Sequence, residues 1–153
     1  MYNVAFFFHM VGALLFISGI VVAGVAFEAA RRQERPRDVA LLLGLTRVGV
    51  VLVATGAVLA GVFGPWLVHL GNWEYGSGWV DASIALYLVA LALGGLGGQR
   101  PKQARLLATR LARGNAPHNG ELRALLDDRV SLAENYASLL LVLAIVALMC
   151  FKP

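Results

Sequence analysis

Residues 3–27 read NVAFFFHMVGALLFISGIVVAGVAF, an apolar run that contains no Asp, Glu, Lys or Arg and is interrupted by one histidine, His9. A helix of this length crosses the hydrocarbon core of a bilayer, which takes ~20 residues at about 1.5 Å each. Three further stretches of the same kind follow, at 48–70, 79–97 and 131–151. A soluble protein can bury one such helix, but hardly four in 153 residues. The composition agrees: 59% of residues are hydrophobic and 14% charged, where soluble domains carry roughly a quarter charged. The chain reads as an all-α membrane protein, a single domain over 1–153 built as a four-helix up-down bundle.

The first run differs from a secretory signal, which has a basic leader, a short apolar core and a small-residue cleavage site. Here no Lys or Arg precedes the run and the arginines follow it, at Arg31, Arg32, Arg35 and Arg37. It is therefore expected to be retained as the first span. Of the thirteen Lys and Arg, four lie between the first two stretches and seven between Arg100 and Arg129, with Arg47 and Lys152 the remainder. Loops rich in Lys and Arg stay cytoplasmic. This places the 98–130 loop inside and both termini and the 71–78 loop outside. The net charge of +4 then reflects topology and contact with anionic headgroups, not nucleic acid.

The connections are short. In RRQERPRD (31–38) Pro36 is expected to stop the first helix and Asp38 to cap the second. GNWEYGSG (71–78) is an outer turn, ringed by Trp66, Trp73, Tyr75 and Trp79 as an interfacial aromatic belt. In the inner segment Leu106, Leu107 and Leu111 alternate with Arg105, Arg110 and Arg113, which predicts a helix lying on the membrane surface. GNAPHNG (114–120), with His118 as a solvated imidazole, breaks it. Asn119 is expected to cap a second helix, with Leu122, Leu125 and Leu126 on one face, that runs straight into the fourth span. The single cysteine, Cys150, excludes an internal disulfide.

Helices in lipid pack through small residues that let backbones approach. His9, Gly12, Phe16, Gly19, Ala23 and Ala26 recur at three- and four-residue steps and so share one face of the first helix. Ala57, Gly61 and Gly64 offer a second strip on the next helix. His9 thus points into the bundle, and an ionisable residue inside a membrane is a functional-site hypothesis by default. Neutral imidazole is a good metal ligand and commonly holds haem iron, and Gly12 and Gly19 would leave room for a flat macrocycle. The other reading of His9 is a structural histidine bonded to a neighbouring helix.

His69, on the same side of the membrane, is either an interfacial residue of the aromatic belt or the second member of a bis-histidine pair. Met10, Met149 and Cys150 are soft ligands that could suit copper(I), although none has tight ligand spacing. Arg47 and Glu134 are expected to form a structural ion pair near the inner face, with Asn135 beside it. Asp81 caps the third helix or binds a cation. No Walker loop, dinucleotide fingerprint, HExxH or nucleophile constellation is present, which excludes a soluble-type enzyme.

The stretches HMVGALLFISGI (9–20), GSGWVDASIALYL (76–88) and ALMCFKP (147–153) resemble a bacterial family of four-helix integral membrane proteins that carries a domain-of-unknown-function label. More distantly, the first helix is similar to that of four-helix cytochrome-b-like proteins of the copper-resistance CopD type and the HemJ-type protoporphyrinogen oxidases. There a histidine followed by small residues opens helix one, and in the HemJ type it is implicated in haem ligation; by position that role falls on His9. The HemJ type also carries a lysine shortly after a tryptophan at the start of helix three. Here Trp79 is followed by Val80, Asp81, Ala82 and Ser83, a departure that speaks against protoporphyrinogen oxidation. The expectation is a small protein that binds haem b and passes electrons to a redox partner. The alternatives are a cofactor-free subunit of a larger membrane complex, and copper handling or small-solute transport.

Overall fold

The computed structural model describes residues 1–73, 76–114 and 120–151, apart from the side chains of residues 96, 97, 131, 132 and 135. Tyr75, His118, Asn119, Lys152 and the Asn135 side chain therefore lie outside the described residues. Those described form helices α1 (Tyr2–Arg31), α2 (Pro36–Leu70), α3 (Gly78–Gly97), α4 (Gln99–Arg113), α5 (Gly120–Leu126) and α6 (Arg129–Phe151). Three helical runs are long and apolar enough to cross a membrane: Tyr2–Arg31, Pro36–Leu70 and Gly78–Arg113. A shorter apolar stretch, Tyr136–Phe151, belongs to α6.

α1 and α2 form the most extensive helix pair, and glycine is the reason. A Cβ on Gly12 would lie 2.7 Å from the backbone nitrogen of Ala60, and one on Gly19 would lie 2.6 Å from the carbonyl oxygen of Gly49. The contact is reciprocal: a Cβ on Gly49 would lie 2.8 Å from the carbonyl of Gly19, and one on Gly56 would run into the backbone nitrogen of Phe16. The two backbones touch with no side chain between them, the close approach that small residues permit in lipid. The α1 face is the expected one, with Ala5, His9, Gly12, Phe16, Gly19 and Ala26 buried. The α2 seam differs from expectation: it runs through Gly49, Val53, Gly56, Ala60 and Gly64. Of the strip expected there, Gly64 faces His9, while Gly61 meets the Tyr87 hydroxyl of α3.

Tyr87 fastens α3 to this pair. Its hydroxyl donates to the carbonyl of Ala57 at 2.6 Å, and its ring meets Phe16 at a centroid distance of 6.2 Å. Phe16, Ala57 and Val142 form a small mid-helix core around it. Removing the hydroxyl in Tyr87→Phe is expected to cost about 0.5–1.5 kcal/mol, the net worth of one hydrogen bond. The check is a lowered thermal midpoint in detergent with an unchanged helical circular dichroism spectrum.

The largest core lies at the other end. Phe27, Ala30, Val39, Leu43, Ala104, Ala108, Leu122 and Leu126 pack together from α1, α2, α4 and α5. The length of α2 explains how this arises. Its 35 residues span about 52 Å as a helix, well beyond the ~30 Å hydrocarbon core. The surplus is its first third, flanked by Arg35, Arg37 and Arg47, which stands clear of the apolar span and needs partners of its own. Pro36 opens this helix at its first turn instead of only ending α1, and Asp38 lies in that turn while Arg35 occupies the cap position. Proline suits that place because its missing N–H is one a helix start leaves unpaired anyway.

α4 supplies the partner, and this corrects the expectation of a surface-lying helix. Only Gly98, with φ −71° and ψ −12°, separates α4 from α3, so the chain continues α3 instead of turning along the membrane. Ala104 and Ala108 are fully buried against α2, and Leu107 and Leu111 pack beside them, while Leu106 remains 49% exposed. The buried face is the alanine one, which the leucine-dominated apolar pattern of the sequence hides. In α5, Leu122 and Leu126 are buried with Leu125 packed alongside, as the spacing predicts. α5 does not run into the last helix: it ends at Leu126, and Asp127 and Asp128 intervene before α6 begins at Arg129.

Candidate functional site

His9 sits two turns into α1, on its buried face. The residue is 9% exposed, and its Nδ1 lies 3.3 Å from the carbonyl oxygen of Ala60. A carbonyl only accepts, so the proton of the neutral ring resides on Nδ1, which donates, and Nε2 keeps its lone pair. Gly64, one turn beyond Ala60, makes the space: a Cβ there would lie 3.3 Å from Cε1 of the ring. The imidazole therefore sits at the α1–α2 seam against a glycine. Chemically, an Nδ1–H held by a backbone carbonyl is how ligating histidines are commonly oriented toward a metal. The same bond also serves as a plain interhelical staple.

Gly12 and Gly19 do not provide an open slot beside it. The room that their missing side chains leave is filled by the backbone of α2 at Ala60, Gly49 and Val53. His69 is exposed, in the last turn of α2. It follows Gly64 by five residues, which on a helix is about 140° around and ~7.5 Å along from the point where His9 docks. Its neighbours Leu67 and Val68 are the buried ones. At the end of the chain Met149 is half-buried and Cys150 exposed, and Met10 is exposed on α1. Among the described residues, no three His, Cys, Asp or Glu side chains converge as a metal site.

The end of the molecule near His9 is otherwise aromatic. Phe8 stacks on Phe63 at 5.0 Å and Phe63 on Trp66 at 5.7 Å, while Trp73 meets Trp79 edge-on at 5.4 Å. Asp81 accepts the N–H of Gly76 at 3.4 Å. This ties the 71–78 turn to the start of α3.

Arg47 and Glu134 are not paired. Arg47 is exposed on α2, two residues from the seam glycine Gly49, and Glu134 is half-buried on α6. The ion pairs that form among the described residues lie elsewhere, at the C-terminal end of α1. Arg31 bonds Glu28 at 2.9 Å and Asp127 at 3.3 Å, and Arg32 reaches Glu28 at 3.3 Å. Arg123 bonds Asp127 at 2.8 Å and donates to the Arg31 carbonyl at 3.1 Å. One donor, Nε of Arg31, is buried without a partner. Half of this network was legible, because Glu28 stands three and four residues before the two arginines. Asp127 is ninety-six positions from Arg31, and nothing local signals the meeting.

Comparison with known proteins adds the family and no more. No curated protein and no solved structure matches the chain. Residues 4–153 match the DUF2269 family, described as a predicted integral membrane protein. A match over nearly the whole length, on a chain whose helices are built to span lipid, makes this protein a member of that integral membrane family.

Proposed function

We propose that this protein is a small haem-b-binding protein of the bacterial cytoplasmic membrane with an electron-transfer or redox role, ligated through Nε2 of His9. The observation that carries the reading is the bond from Nδ1 to the Ala60 carbonyl at 3.3 Å, which fixes the tautomer and leaves Nε2 as the ligand nitrogen. Of the chain's own residues, His9 would hold the iron, Ala60 would orient it and Gly64 would admit the ring. Haem would supply a one-electron couple, its potential set by the axial ligand and the dryness of the site. Gly12 and Gly19 support the helix pair in this reading and do not cradle the macrocycle. His69 is kept as an outer-end histidine, since it lies on a different face of α2 from Gly64. The proposed topology has four spans, with α4 and α5 on the cytoplasmic side and both termini outside, because the arginine-rich ends of α1, α2 and α4 lie together.

A second reading, a cofactor-free subunit of a larger membrane complex, is favoured by the closed glycine seam, which makes His9 a staple between α1 and α2. The two separate on one experiment. Protein purified in mild detergent from cells supplied with haem is expected to show a Soret band and a sharp α-band on dithionite reduction. His9→Ala is expected to lose them with its helical spectrum retained, and His69→Ala to keep them. A folded, colourless wild type that co-purifies with other membrane proteins would establish the second reading instead.

A further inference from the structure

We infer that the cleft between α1 and α6 is a binding site for one anionic phospholipid, its acyl chain lying along α1 and its phosphate at Arg32. The cleft has a volume of about 460 Å³, inside the ~300–1,000 Å³ range of small-ligand sites. Its floor is apolar, with Ile20, Val21, Gly24 and Val25 from α1 and Leu139 from α6. Its polar residues are Glu28, Arg32 and Tyr136.

Length decides what fits. From Ile20 to Arg32 the cleft follows α1 for twelve residues, or ~18 Å. One leaflet contributes half of the ~30 Å hydrocarbon core, so a groove of this length reaches from mid-membrane to the headgroup level.

Charge decides the headgroup. The Arg32 side chain is 76% exposed and, among the described residues, has one ionic contact, to Glu28 at 3.3 Å. Glu28 lines the cleft, and Arg31 also neutralises it at 2.9 Å. Arg31, Arg32 and Arg123 thus face Glu28 and Asp127, which leaves one net positive charge beside the mouth, and an exposed arginine can take a phosphate in bidentate fashion. The Tyr136 hydroxyl, on the opposite wall, adds a donor.

The test is the thermal midpoint of purified protein in mild detergent, with added phosphatidylglycerol or phosphatidylcholine of the same chain length. Phosphatidylglycerol is expected to raise the midpoint more than phosphatidylcholine. Arg32→Gln is expected to reduce its effect to the phosphatidylcholine level. Val21→Trp, which fills the floor, is expected to abolish both responses. Arg113→Gln, on α4 and outside the cleft, is expected to respond as wild type. Equal responses to the two lipids, an undiminished one in Arg32→Gln, or an equal loss in Arg113→Gln would overturn the proposal. Should Val21→Trp fail to fold, native mass spectrometry decides: a retained phosphatidylglycerol adduct in wild type that Arg32→Gln loses supports the site, and adducts of equal abundance in both refute it.

Discussion

Gly56→Ala is expected to destabilise this protein although alanine is the better helix former. By backbone propensity alone the change should favour α2 by roughly 0.5–1 kcal/mol. The added methyl, however, runs into the backbone of α1: it meets the nitrogen of Phe16 and lies 2.6 Å from the carbonyl of Gly12. Neither atom belongs to a flexible side chain, so relief requires α1 and α2 to separate. Separation would also strain the bond between His9 and Ala60 that spans the same seam. Overpacking of this kind costs about 1–3 kcal/mol, which exceeds the propensity gain. Gly44→Ala is the matched control, since a Cβ there meets nothing within 4 Å. The two alanines should therefore move the thermal midpoint in opposite directions, down for Gly56 and up or unchanged for Gly44. A midpoint for Gly56→Ala at or above wild type would show that the seam is not closed.

Leu43→Ala is expected to cost more, about 2–5 kcal/mol, the usual range for a buried leucine cut back in a packed core. Leu43 is fully buried, and so are Leu122 and Leu126 in the same cluster. This core lies among arginines at the ends of the long helices, where access to water would add the hydrophobic driving force that lipid does not supply. The expected result is selective: early loss of protection in α4 and α5 by hydrogen exchange, with α1 and α2 still protected in their spans. Leu88→Ala is the comparison, because Leu88 is 59% exposed on an apolar helix and its loss leaves no internal cavity. Uniform loss of protection along the chain would mean that the inner core and the spans unfold as one unit.

The residues that could be read locally were read well. The face of α1 that carries His9, Gly12, Phe16 and Gly19 follows from helical spacing alone, because a helix fixes which side chains share a side. Partner choice was not legible. Gly61 and Gly49 look alike in sequence, yet one receives the Tyr87 hydroxyl and the other the backbone of α1. Arg47 and Glu134 were matched as two charges at one depth, but depth says nothing about azimuth, and the charges that pair are Arg31, Glu28 and Asp127. α4 misled for a related reason: basic residues alternating with leucine fit a membrane surface as well as they fit a protein core.

Sequence by itself determined that this chain lives in a bilayer, where its long apolar runs lie and which residue among them is chemically out of place. Those properties depend on composition and on the fixed rise and period of the helix. The tertiary structure decided that His9 lies on Gly64 and bonds Ala60, that the glycines of α1 are closed by α2, and that a separate core forms where α4 and α5 meet α1 and α2. Each of these is a meeting of residues distant in the chain, set by how closely backbones approach and by which length of helix lipid cannot cover.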